Sequence, residues 1–170
     1  LDANELHLAT VLVPHIYLND GSWRGEIRFD NQRDRDEWWR SYTAFMDVAA
    51  ELAASGGASM LSIGVELKAM SRDEETRERM LELARRARSD YSGLLTYSAN
   101  WDEAEDVAFW DTVDVIGING YFPLEPEPHR GAEKVARQLS LLAMECERPV
   151  VVLEVGFRSS PLSHLRPWEW

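Results

Sequence analysis

Residues 62–70 read SIGVELKAM. An apolar run breaks off at a carboxylate, Glu66, and that ending decides how the rest of the chain is read. The run belongs to SMLSIGV, residues 59–65, a segment short and apolar enough to be a strand buried on both faces. Four others share its character: ATVLVP (9–14), LLTYS (94–98), VDVIGIN (113–119) and PVVVLEV (149–155). Helical patterns lie between them. Residues 34–54 place Trp38, Tyr42, Phe45, Ala49 and Leu52 at three-to-four spacing and stop at Gly56 and Gly57. Residues 71–74, Ser-Arg-Asp-Glu, have the form of a capping box opening a helix that runs to about Ser89. A short helical piece spans residues 104–110, and a further helix spans residues 133–146.

Apolar strands alternating with helices define an α/β fold with a parallel sheet covered by helices. Two architectures satisfy that pattern, an open doubly wound sheet and a (β/α)8 TIM barrel. No glycine-rich phosphate loop follows any strand, which weighs against the nucleotide-binding open sheet. Polar and aromatic residues instead gather just beyond the strands: His15, Glu66, Asn100 with Trp101, Tyr121, and Glu154. In a barrel all of these ends face one mouth, where the active site lies. A complete barrel needs eight strands and about 250 residues. With about five strands in 170 residues, the chain reads as a partial TIM barrel, one incomplete domain over residues 1–170.

Composition narrows the partners. The net charge of −12 argues against nucleic acid or an anionic membrane surface, both of which select basic patches. No apolar stretch reaches the roughly 18 residues of a membrane span. Cys146 is the single cysteine, so no internal disulfide can form; its helical setting predicts a buried structural thiol. No basic-then-apolar leader opens the chain, yet it starts on Leu1 in mid-pattern, which leaves the compartment open, cytoplasmic or secreted. Nothing sets the oligomeric state. Seven tryptophans, several in polar, loop-like contexts, point to a ligand with flat apolar faces, such as a sugar.

The chemistry centres on Glu66 and Glu154, which close the strands SIGV and VVVL. A carboxylate at the end of a buried strand requires a partner. Two of them at one end of a parallel sheet suggest a shared site, and paired carboxylates in a cleft carry out glycoside hydrolysis. The opposing reading makes both of them surface loop residues. Tyr121 either hydrogen-bonds Glu154 or packs at the rim. Trp101 either stacks on a sugar face, with Asn100 bonding a hydroxyl, or belongs to the core. His15 is either a hydrogen-bond donor at the site or a structural residue. Trp23 and Arg24, in GSWRGEI, either line the cleft or lock a loop above it. The charged run RDEETRER (72–79) reads as a solvated helix face. His7, His129 and His164 have no partners at ligand spacing, so no metal and no cofactor are expected. No Ser-His-Asp arrangement is signalled.

GVELKAMS, LTYSANWDE, VDVIGINGYFPL and VLEVGFRS, in this order, resemble the later strands of glycoside hydrolase family 113. The likeness extends from PHIYLNDGSWRGEI (14–27) to the closing RPWEW. The resemblance implies a retaining β-mannanase on a (β/α)8 barrel, with oligo- or polysaccharide as substrate. It makes Glu66 similar to the acid/base at the end of the fourth strand and Glu154 to the nucleophile at the end of the seventh. It places the start of the chain near the third strand and its end soon after the seventh, with the first two strands and the eighth outside it. The end strands are then open, apolar edges. Val65 stands where the broader clan often has Asn. Two rivals remain: a carbohydrate-binding relative without catalysis, and an aldolase or isomerase, for which Lys68 is the one lysine near a strand end.

Overall fold

The computed structural model describes residue 3 and residues 5–169. Five parallel strands form one sheet in chain order: β1 (Val11–Leu12), β2 (Met60–Val65), β3 (Leu94–Asn100), β4 (Val115–Asn119) and β5 (Val150–Glu154). Each strand pairs with the next, the pattern of successive β/α units winding in one direction. Three long helices cover the outside: α1 (Gln32–Ser55), α2 (Glu74–Asp90) and α3 (Pro128–Glu145). The sheet is the curled wall of a partial TIM barrel, as the alternation of strands and helices predicts.

The central strands are the best buried. Every residue of β2 is buried, and in β3 and β4 only the terminal Leu94 and Asn100 reach solvent. The core gathers Leu61, Ile63, Leu95, Tyr97, Ile116 and Ile118 against Trp39, Met46, Met80 and Leu83 of the helices. The flanks differ. Only two residues of the apolar run 9–14 pair as strand β1. In β5, Val151 and Val152 are 39% and 46% exposed. Both end strands present apolar side chains to solvent.

Four details differ from the expectations. The buried stripe of α1 runs through Trp39, Tyr42, Met46, Ala49, Ala50 and Ala53, leaving Phe45 and Leu52 exposed. Trp38 instead stacks on Tyr42 at 4.7 Å, half-buried. Asp73, not Ser71, caps α2, its carboxylate accepting from the Thr76 N–H at 2.7 Å; Ser71 is spent on the Lys68 carbonyl. The run 72–79 faces solvent as expected, but several of its charges are also paired with other elements. Arg79 pairs with Asp36 of α1, Arg77 with Asp111 and Arg72 with Asp106, while Asp73 accepts from Arg35. Cys146 caps α3 half-buried rather than lying in the core, and burial raises its thiol pKa.

Candidate active site

A β-bulge delivers Glu66 to the mouth of the barrel. The β2–β3 register shifts between Ser62 and Val65, where the Ser62 hydroxyl bonds the Gly64 carbonyl at 2.7 Å and meets Ser98 Oγ at 2.9 Å. Bulges re-aim side chains next to functional sites. Directly after the bulge, Glu66 has φ +49°, in the left-handed region that non-glycine residues rarely enter. Its side chain is nearly buried, the residue being 8% exposed. Three donors converge on it: Trp23 Nε1 at 2.9 Å and Arg24 Nη1 at 2.8 Å on Oε2, and Asn119 Nδ2 at 2.9 Å on Oε1. The buried carboxylate is therefore paired and hydrogen-bonded, which burial of a charge requires.

Glu154 ends β5 and is more open. Tyr121 donates its hydroxyl to Oε2 at 3.2 Å, and His15 Nε2 lies 3.7 Å from Oε1. Burial first, and the neighbouring Glu154 second, raise the Tyr121 pKa, keeping the phenol a donor. Arg24 Nη2 lies 3.1 Å from His15 Nδ1. A guanidinium can only donate, so Nδ1 accepts and the neutral ring carries its proton on Nε2, the nitrogen on the Glu154 side. Arg24 thus bridges the two halves of the site, touching Glu66 directly and Glu154 by way of His15. Its Nε also bonds the Ile16 carbonyl, and the guanidinium lies over the Tyr17 ring at 5.6 Å.

Both glutamates open into one cavity of about 610 Å³, lined by Trp23, Glu66, Asn100, Trp101, Asp102, Tyr121, Glu154 and Trp168. His15 and Arg24 are not part of that lining; Arg24 holds the Glu66 carboxylate and His15 bonds Arg24. Trp101 stacks on Trp168 at 5.2 Å with the planes 17° apart, and leans on Phe122 at 5.9 Å. Asn100 Nδ2 donates to Asp102 at 2.7 Å, and Asp102 in turn pairs with Lys68. Lys68 is thereby engaged by a carboxylate rather than set in an apolar pocket, a poor setting for a Schiff-base nucleophile. A groove of similar size, about 640 Å³, runs between α1 and α2, lined by Asp36, Asp47, Arg79 and Arg86 among others. It lies on the helical side, and its acidic and basic groups are spent on one another.

Three lining or contact residues were missed in the sequence: Asn119, Asp102 and Trp168. Asn119 carries the same signal as Glu66, a polar residue closing an apolar strand. Asp102 and Trp168 lie in irregular segments without periodicity. Among the described residues, no group of three or more His, Cys, Asp and Glu is arranged to hold a metal, and no helix is long and apolar enough to cross a membrane.

Trp23 owes its place to Gly25. A Cβ at residue 25 would run into the indole of Trp23. Gly25→Ala is expected to displace that ring and break its bond to Glu66, costing about 1.5–3 kcal/mol of stability, the order of one lost hydrogen bond to a charged group. Urea denaturation followed by tryptophan fluorescence measures it.

The barrel wall and two glutamates opening at one aromatic-lined mouth are the setting in which TIM-barrel glycoside hydrolases work. The chain matches the family described as Glycoside Hydrolase Family 113 over residues 2–170, and it belongs to that family. Among solved structures it is similar to the GH113 β-mannanase AaManA from Alicyclobacillus acidocaldarius in complex with ManMIm, at 32% identity and a TM-score of 0.86. It is also similar to a GH113 β-1,4-mannanase solved as a complex, at 28% identity and a TM-score of 0.87. Each match covers 99% of this chain and 53% of the other, so the chain spans about half the length of these mannanases. A β-glucuronidase from Ruminococcus gnavus, 16% identical with a TM-score of 0.60, shares the fold alone. No match was found among curated proteins.

Proposed function

We propose that this chain carries the catalytic centre of a retaining β-glycoside hydrolase acting on β-1,4-mannan or a related β-glycan, with Glu66 as acid/base and Glu154 as nucleophile. The observation that carries the reading is the opening of both glutamates into one aromatic-lined cavity. The β-mannanases with which it aligns support the substrate class.

In this mechanism Glu154 attacks the anomeric carbon as the glycosidic bond breaks. Glu66 gives its proton to the departing oxygen. A glycosyl–enzyme ester results, and Glu66, now a carboxylate, takes a proton from the water that cleaves it. The Tyr121 hydroxyl is the donor on Glu154, and the His15 ring lies beside it at 3.7 Å. The exposed faces of the Trp101–Trp168 pair offer a sugar platform, and Asn100 and Asp102 offer polar contacts for hydroxyls. Retention requires the two carboxyl groups about 5 to 5.5 Å apart.

One observation favours exchanged roles. Glu66 is the acceptor in each of its three side-chain hydrogen bonds, whereas an acid must present its own hydrogen to the leaving group. Under the first assignment one of those contacts opens when substrate binds.

The test is hydrolysis of mannohexaose followed by ¹H NMR of the first-formed reducing end. A β-anomer appearing first supports the reading. An α-anomer first would establish inversion instead. Binding of mannohexaose without cleavage would leave a carbohydrate-binding relative, and neither binding nor cleavage would remove the glycan reading altogether.

A further inference from the structure

A buried pair behind Glu66 has no part in the hydrolytic steps above. Tyr97 of β3 and Glu103, in the turn that follows, are both fully buried. The Tyr97 hydroxyl donates to Glu103 Oε1 at 2.6 Å and accepts from the backbone N–H of Leu67 at 2.7 Å. Leu67 is the residue after Glu66. The N–H of Glu66 itself donates to the Ser98 carbonyl at 2.9 Å. Two consecutive amides, one on each side of the left-handed Glu66 Cα, are thus clamped to β3.

Each clamp is rigid. The Tyr97 ring meets Phe109 edge-on at 4.9 Å and Trp110 at 5.9 Å. It also occupies space beside Gly64, where a Cβ would come within 3.0 Å of it. Glu103 is fixed by its own backbone, its N–H on the Asn100 carbonyl at 3.0 Å and its carbonyl accepting from Asp106 at 2.9 Å. The turn so fixed carries Asn100, Trp101 and Asp102, which line the cavity. Unfavourable backbone conformations persist only where the surroundings over-determine them, and they concentrate at functional sites.

We propose that Tyr97 and Glu103 are positioning residues: their hydrogen-bonded pair holds the Leu67 amide, fixes Glu66 in its left-handed conformation aimed into the cleft, and couples it to the cavity-lining turn after β3. The inference rests on the acid/base reading of Glu66 for its catalytic consequence, but its structural content stands apart from that reading. Burial raises the Glu103 pKa to about 8, so at neutral pH the pair holds Glu66 without placing a second charge behind it.

The test is Tyr97→Phe, which removes the hydroxyl and keeps the ring. The expected result is loss of protection of the Leu67 amide in hydrogen exchange by NMR. For mannohexaose hydrolysis, kcat falls about 10- to 100-fold, the scale of a small misplacement of a catalytic group, with KM little changed. Glu103→Leu is expected to reproduce both effects, and Glu103→Gln, which still offers Tyr97 an acceptor, to recover most of the loss. An unchanged Leu67 amide in folded Tyr97→Phe would overturn the proposal. If Tyr97→Phe does not fold, the Glu103 variants decide: equal Leu67 protection in Glu103→Leu and Glu103→Gln overturns it. Absence of hydrolysis by the unmodified protein would count against the acid/base reading alone, because the amide readout needs no turnover.

Discussion

Glu154→Ala is expected to lower kcat/KM on mannooligosaccharides on the order of 10⁴-fold or more, because it removes the proposed nucleophile while the other carboxylates lining the cavity are engaged, Glu66 by three donors and Asp102 by Asn100 and Lys68. Glu66→Ala should behave differently, and the difference assigns the roles. With a natural sugar leaving group, loss of the proton donor costs about 10²- to 10⁴-fold. With an aryl glycoside whose phenolate departs unprotonated, the first step is nearly spared and the glycosyl–enzyme accumulates, visible as a burst of phenolate. The same burst in Glu154→Ala, with Glu66→Ala inert toward both substrates, would exchange the roles, the arrangement to which the three donors on Glu66 point. Unchanged binding and undetectable turnover in the unmodified protein would instead describe a carbohydrate-binding relative.

The second large effect concerns stability. Burial is the main cause that raises the Glu103 pKa from 4.5 to about 8; the neighbouring Glu66 and Asp102 add to it, and the Tyr97 hydrogen bond and the Asn100 backbone contact oppose it. Below pH 4.5 the group is protonated whether the chain is folded or not. Between 4.5 and 8 the unfolded chain gives up that proton and the folded chain keeps it. Stability therefore falls as pH rises through this window, by at most about 1.4 kcal/mol per pH unit, and levels off above 8. Urea denaturation at pH 5, 6, 7 and 8 measures the slope. Glu103→Gln, neutral at every pH, should remove this share and leave a flatter profile. If the two profiles run parallel, Glu103 is not the protonated group.

The fold was legible because parallel strands buried on both faces must be largely apolar, and the three central strands are, apart from small hydroxyls at Ser62, Thr96 and Ser98 and the closing Asn100 and Asn119. ATVLVP meets the same criterion yet pairs over two residues only, at the edge of the sheet, since an apolar run carries no information about how much of it finds a partner. In the α1 stripe Tyr42 and Ala49 are buried as expected, while Trp38, Phe45 and Leu52 each fall one residue short of a buried position, for a related reason. Trp38 and Trp39 are adjacent and both aromatic, so three-to-four spacing fits either, and only packing against the sheet selects Trp39. In the site, Glu66, Glu154 and Tyr121 announced themselves as polar or hydroxylated residues closing apolar strands. Asn119 followed the same rule and was passed over. Glu103 gave no signal, because a Glu in the loop sequence WDEAED looks solvated; its burial is created by Tyr97 and by the short 3₁₀ turn Ala104–Asp106.

The uneven burial of the strands gives the two carboxylates foundations of unequal stiffness. Glu66 is anchored by a bulge, two amide clamps and a strand with neighbours on both sides. Glu154 rides on a strand whose middle residues face solvent; its carboxylate accepts from one phenol and its backbone carbonyl from the Gly120 N–H. A β5 that breathes would change the gap between the glutamates by moving one of them, while the other stayed registered to Trp23, Arg24 and Asn119. The gap between the pair is thus framed on one side by a densely braced strand and on the other by a strand whose Val151 and Val152, with Val155 just beyond its end, stay open to solvent.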